Sequence, residues 1–351
     1  MVRHGIDVSA ATAPVTALEH ARAMAARGYS VDVMLRFYRV GHAYFSERIL
    51  AGITDFVPDP ALAFTVLSGL QRYAFEYVDR ISSQVAAEYV AELDRLQNRV
   101  RAARTDAVRA LIAGDHIDYA YAERTLSHRL TGWQTAFVCW TDRDDVDLAK
   151  IGTAVSAHLG SSHPLLVPDG ARALSGWVST ARAPVTGSEQ WATLTNDLAK
   201  AAQVSIGTPA QGAGGFRDSH AKAQRGRRII ELSGRPTPVT TYADIALVDA
   251  MSGDLDVARG FVATEFGALA APGRREDEER AALLAVLDAQ GGLAAAAEEL
   301  GVHRNTVLQR VRRAEERRGR PATDRIAELH AALRLVQVLG SAVLTSEPGR
   351  T

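Results

Sequence analysis

The sequence predicts a multidomain chain with an all-α N-terminal domain, an α+β middle domain and an all-α C-terminal domain built on a helix-turn-helix. Three observations carry this. Residues 14–114 show helical periodicity alone, from about Trp133 to Val239 short β-rich runs alternate with helices, and beyond Gly273 two turn-linked helices lead into an arginine-dense one. At roughly 150 residues per domain, 351 residues allow two or three domains. The boundaries fall at 1–112, 113–240, 241–275 for a helical connector, 276–340 and a tail at 341–351.

Composition narrows the function classes. The chain is 47% hydrophobic and 23% charged, and 40 Lys+Arg against 41 Asp+Glu leave a net charge of -1, so no global field commits it to nucleic acid or membrane. Any such preference is local. The single cysteine, Cys139, excludes an intrachain disulfide and a cysteine-based zinc site, which fits a reducing compartment, the cytoplasm by default. Glu19, His20, Arg22 and Arg27 break the N-terminal segment where a secretory signal would be apolar, and no run of about 20 apolar residues spans a bilayer. The histidines lack an H-E-x-x-H pattern and neither a P-loop nor G-x-S-x-G occurs, so no catalytic residue, metal or cofactor is expected.

In the first domain, breaks at Arg27-Gly28 and Pro58-Asp59-Pro60 separate the helices. The last helix carries a stripe at Leu70, Tyr73, Tyr77, Ile81, Val85, Tyr89, Leu93, Leu96, Val100 and Ala103. It reads either as one long core helix or as a core helix whose distal half, Glu92 to Arg109, is a linker or dimer helix.

The middle domain reads as a strand at Thr135–Trp140, a helix from Val146 to about Leu159, and a hairpin of Leu165–Pro168 with Leu174–Ser179 across Asp169-Gly170. A helix at Ser188–Ala201, a strand at Gln203–Gly207, a glycine-rich loop at Gln211–Gly215 and a helix from Arg217 to about Leu232 follow. The loop is a plain connection or, less simply, a phosphate cradle. All four tryptophans, Trp133, Trp140, Trp177 and Trp191, fall here, so intrinsic fluorescence reports on this domain.

After Pro236 and Pro238, helices at Asp244–Met251 and Asp256–Leu269 lead to the breaker Ala271-Pro272-Gly273. The acidic run Glu276-Asp277-Glu278-Glu279 then complements the positive end of a helix macrodipole. Ser341–Thr351 reads as a frayed tail.

Within the C-terminal domain, Leu283, Leu284 and Leu287 face a core, Gly291-Gly292 turns the chain, and Leu293–Leu300 is a short alanine-rich helix. Gly301-Val302 makes a second tight turn into the helix His303–Gly319, where Val307, Val311 and Ala314 form the buried stripe. From His303 to Arg320, seven arginines against two glutamates leave +5. Opposite the buried stripe stand Asn305, Thr306, Gln309, Arg312 and Arg313, which with Arg304 and Arg310 are the candidate DNA-binding residues. Arginine pairs with phosphates or with guanine O6/N7, and the Asn305 and Gln309 amides match adenine N6/N7 in a major groove.

Gly301-Val302-His303-Arg304-Asn305-Thr306-Val307, followed by Arg310, Arg312, Arg313 and Glu315-Glu316, resembles the C-terminal helix-turn-helix of the PucR/CdaR family of bacterial transcription regulators. The Leu293–Leu300 helix and Leu329-His330-Ala331-Ala332-Leu333-Arg334-Leu335 fit the same pattern, whereas Leu308-Gln309 departs from the family's usual aromatic or basic pair. The resemblance implies a Fis-type fold with Arg304–Arg318 as recognition helix. It also implies double-stranded DNA as partner, a homodimer or higher homo-oligomer, and a small-molecule effector.

Val239–Leu247 is similar to the segment preceding that domain, and Val204–Gly207 with Ser219–Gln224 resemble its degenerate GGDEF-like middle domain. The hairpin equivalent to a cyclase's metal-binding turn is read as Leu174-Ser175-Gly176-Trp177-Val178, with no acid at the turn, and the likeness of Gly214–Asp218 to GGDEF is taken as chance. Phe37–His42 and Val78–Tyr89 resemble the all-helical RsbRD-type domain that some members carry. The competing functions are a nucleotide-binding or nucleotide-processing enzyme acting through the GGDEF-like domain, and a partner-switching interaction protein.

Overall fold

The computed structural model describes residues 7–186, 191, 194 and 202–344, and the chain divides into two compact units between Thr105 and Asp106. The first is all helix: α1 (Val15–Ala26), α2 (Val31–Phe56) and the first four-fifths of α3 (Pro60–Ala113). Gly28, at φ 73°, supplies the left-handed residue that lets the chain leave α1. Pro60 opens α3 where no backbone donor is needed, and the Asp59 carboxylate accepts from the Ala61 N–H at 3.0 Å. Ala21, Met24, Ala25, Met34, Ile81, Val85 and Tyr89 form the core.

The long stripe is buried only over Ile81–Tyr89, and Val100 is 60% exposed. Both readings of α3 therefore describe part of it. Its middle is a core helix, its next three turns are largely exposed, and Ala107, Val108 and Leu111 enter the core of the second unit.

After the last turns of α3 the second unit continues with α4 (Tyr119–Leu126), which Asp118 caps by accepting from the Ala120 N–H. A sheet of order β2-β3-β1-β4-β6 follows, from β1 (Trp133–Trp140), β2 (Leu165–Pro168), β3 (Ala173–Thr180), β4 (Gln203–Ile206) and β6 (Val239–Thr241), while β5 (Ala210–Gln211) pairs with β1. All pairings are antiparallel except β4 with β6. One face packs on α5 (Leu148–His158) through Phe137, Cys139, Ile151, Val155 and Leu194, and α6 (Gly212–Ser233) lies against the other. Gly207 lets α6 approach, since a Cβ there would stand 1.9 Å from the Ser219 carbonyl oxygen. Trp177 stacks on Phe216 at 4.5 Å and donates its indole N–H to the Phe216 carbonyl.

Three expectations are corrected here. Gly212–Gly215 are the first turn of α6, not a loop, because the whole of Gly212–Ser233 closes into one helix. Leu174–Val178 lie inside β3, and the hairpin turns at residues 169–172, where one acid, Asp169, does stand. The tail begins later than Ser341, since Gly340–Val343 form a 3-10 turn with Val343 buried. The helix expected at Ser188–Ala201 lies outside the described residues except for Trp191 and Leu194, both buried.

His220 on α6 is buried, with Nε2 3.2 Å from the Ser175 hydroxyl. Burial lowers its pKa from 6.5 to about 4, against the opposing pull of Asp169. Between those values the unfolded chain binds the proton and the folded chain does not, so stability falls as pH drops from about 6.5 to about 4. Urea midpoints read by tryptophan fluorescence should fall between pH 7 and pH 5, and His220→Gln should flatten that dependence whatever its effect at pH 7.

All but one of the remaining helices share one core. α7 (Tyr242–Met251), α8 (Leu255–Phe266), α9 (Arg274–Asp288), α10 (Leu293–Glu299), α11 (Arg304–Arg318) and α12 (Ile326–Leu339) complete the unit. Ile229 of α6, Ile245 and Val248 of α7, Val262 and Phe266 of α8, Leu283 of α9, Ala314 of α11 and Leu329 of α12 belong to a single buried cluster. Ile326–Val343 is long and apolar enough to cross a bilayer by composition. Here Leu329, Leu333, Leu335 and Leu339 are buried in that cluster, while His330 and Arg334 pair with Asp288.

Candidate nucleic-acid interface

The helix-turn-helix is α10 and α11, backed by α9. Ala282, Ala285, Ala296, Ala297 and Val307 form its inner core, where small side chains let the three helices approach closely. Gly301, at φ 62°, makes the turn, and the Val302 N–H donates to the Ala297 carbonyl. His303 caps α11, its Nδ1 accepting from the Asn305 N–H at 3.2 Å. Gly319 ends it at φ 71° with its N–H on the Glu315 and Glu316 carbonyls.

Burial sorts the candidate residues. Arg304, Asn305, Gln309, Arg312 and Arg313 are exposed, while Thr306 and Arg310 are half-buried. Val307 and Ala314 are fully buried on the far side.

Ion pairing sorts the arginines further. Arg310 reaches Glu278 at 2.7 Å, Arg317 meets Glu276 and Glu279, and Arg318 and Arg320 turn to Glu265. Among the described residues, Arg304, Arg312 and Arg313 make no ion pair. The helix therefore uses three of its arginines, Arg310, Arg317 and Arg318, to hold itself in place, with Arg320 just beyond its end, and leaves three facing water. The acidic run does more than offset a macrodipole: Glu276, Glu278 and Glu279 fasten α11, and Asp277 pairs with Arg280 on its own helix.

Glu265, on α8, is a partner the sequence reading missed. Its carboxylate is buried and accepts from Arg318 at 3.3 Å and from Arg325 at 2.9 Å. Burial would raise its pKa, but the hydrogen bonds from Arg325 and Arg318 outweigh this and hold it below the usual carboxylate value. A signal was present: Ala258, Val262, Glu265, Phe266 and Leu269 follow helical spacing, which places one acid on an apolar stripe.

In the GGDEF-like region, Asp169 at the hairpin turn accepts from Gln224 at 3.2 Å and lies 3.8 Å from Arg227. Among the described residues no group of three or more His, Cys, Asp or Glu side chains could hold a metal ion.

Comparison with known families agrees with this layout. Residues 280–335 match the PucR C-terminal helix-turn-helix domain, which places the chain in the class of helix-turn-helix transcription regulators. Residues 113–229 match the GGDEF-like domain and residues 1–104 the RsbT co-antagonist protein rsbRD N-terminal domain. The chain thus carries an RsbRD-type N-terminal domain, a GGDEF-like domain and a PucR-type helix-turn-helix, and its resemblance to the PucR/CdaR regulators holds domain by domain. Comparison with curated proteins gives no match. Among solved structures, the crystal structure of a regulator of polyketide synthase expression from Bifidobacterium adolescentis is 20% identical, covering 66% of this chain and 95% of that one. Its TM-score is 0.30.

Proposed function

We propose that the protein is a cytoplasmic, effector-responsive transcription regulator that binds double-stranded DNA sequence-specifically, with α11 in the major groove. One observation carries this reading: the exposed face of α11 holds Arg304, Asn305, Gln309, Arg312 and Arg313, and its three arginines have no protein counter-charge among the described residues. Arg312 and Arg313 contact phosphates, and Asn305, near the helix start, reads a base edge. Thr306 and Arg310 flank the contact, with Arg310 set by Glu278. As a homodimer or higher homo-oligomer the protein reads a palindrome, with half-sites about 34 Å apart.

The test is capture of sheared genomic DNA on the full chain, with Arg312→Ala/Arg313→Ala as control. A chain cut at Ala271 is no control, since the cut divides a shared core. Loci enriched by the wild type, sharing an inverted repeat and lost in the control, are the expected result; equal recovery by both proteins would refute the reading. Asn305→Ala should lose roughly 1–3 kcal/mol of discrimination at one base position per half-site. Affinity measured across single-base operator variants checks this, and undiminished discrimination at every position would remove Asn305 from base reading.

A further inference from the structure

We propose that the exposed face of α2 pairs with the same face of a second copy of this chain, the two helices running antiparallel across a two-fold axis near Gly41. The inference rests on the homodimer proposed above and names its surface. Its test contains no DNA, so either reading can fail without the other.

Val33, Phe37, Val40 and Tyr44 stand at spacings of four, three and four, the pattern with which one helix seats its side chains between those of another. Their exposure runs from 45% to 65%. This is a second stripe, since α2 meets the core of its own unit through Met34, Leu35 and Tyr38. The four side chains offer on the order of 400 Å² of surface, most of it apolar, about the non-polar share of the ~800 Å² that each partner of a stable interface buries.

Charge selects the occupant and its direction. Arg36 flanks the stripe near its start and Glu47 near its end; both are exposed, and neither makes an ion pair among the described residues. A parallel pair would set each beside its own copy, like against like. An antiparallel pair centred near Gly41 brings Arg36 level with Glu47 of the partner subunit, and Phe37 level with Tyr44 of the partner subunit, to within about 1.5 Å along the helix. The two-fold axis makes each contact twice, as a self-complementary interface requires. Arg48, the exposed charge on the other edge of the stripe, then lies about 20 Å along the helix from its own copy.

Sedimentation of the full-length protein should show a dimer. Val40→Glu should weaken it about tenfold or more, with an unchanged circular dichroism spectrum, because pairing would bury the new charge. Arg36→Glu and Glu47→Arg should each weaken it alone, whereas the two variants mixed should pair, since every acid then faces an arginine again. A disulfide reads the direction. Cys139 is buried, so under mild oxidation Val40→Cys, beside the axis, should link two copies, and Val33→Cys, about 24 Å along the helix from its own copy, should not. A monomeric wild type, which would leave the stripe to a different partner, overturns the proposal. So does a mixture that pairs no better than either variant alone, or linking at Val33 as readily as at Val40.

Discussion

Glu265→Ala should lower the unfolding free energy of the second unit by about 3–5 kcal/mol, the cost of removing one partner from a buried ion pair. The reason is what remains. Arg318 is fully buried, and besides Glu265 only carbonyl oxygens, those of Glu265 itself, Pro321 and Asp324, receive its protons. Arg325, at φ 52°, sits in the left-handed region with its guanidinium on the same carboxylate, so the backbone strain there loses its anchor too. Denaturant unfolding followed by tryptophan fluorescence measures the loss, and a change below about 1 kcal/mol would mean that Arg318 is solvated or paired elsewhere. The pH dependence has a definite sign. A carboxyl held below its usual value of 4.5 contributes stability that is fully present above that pH and is lost as the pH falls through the folded value. Glu265→Gln should remove this part of the acid sensitivity.

Arg312→Ala/Arg313→Ala should weaken operator binding roughly a hundredfold or more per subunit, taking ~1.5 kcal/mol for each charge-assisted hydrogen bond lost. The loss should extend to unrelated DNA, because phosphate contacts carry no sequence information. It should also flatten the dependence of log affinity on log salt by about 0.9 for each phosphate contact removed. Arg310→Ala is the informative comparison. That arginine is already paired with Glu278, so its loss should act mainly on α11's seating and leave most of the salt slope intact. Fluorescence anisotropy at several salt concentrations measures both, and equal slopes for the double variant and the wild type would remove Arg312 and Arg313 from the phosphate contacts.

The helix-turn-helix was legible because its signals are local. Gly301 and Gly319 mark the ends of α11, and Val307 and Ala314 give its buried stripe at helical spacing. The hairpin of β2 and β3 was legible for the same reason, through Asp169-Gly170. What escaped depends on contacts distant in sequence. Glu276, Glu278 and Glu279 look like an N-terminal acidic turn until Arg310 and Arg317 arrive roughly thirty to forty residues later. β6 is three residues long, and only its parallel pairing with β4 makes it a strand. Gly212–Gly215 have low helix propensity, and packing of Gly215 against Ala210 and of Phe216 against Trp177 overrides it. In the first unit, the stripe along α3 correctly marked a helix but said nothing of where burial stops, since that is set by α1 and α2.

The single core running from Ile229 through Val262 and Leu283 to Ala314 bears on how such a protein can be recombined. Evolution and protein engineers alike prefer to splice at proline-glycine punctuation, and Pro272-Gly273 looks like an inviting seam. A graft made there would carry Leu283, Leu284, Leu329 and Leu333 into a new host without Val248, Phe266 and Leu269 to cover them, and the transplanted reader would arrive with a sticky flank. A chimera that keeps residues 106–344 whole and exchanges only what precedes them respects the grain of the molecule.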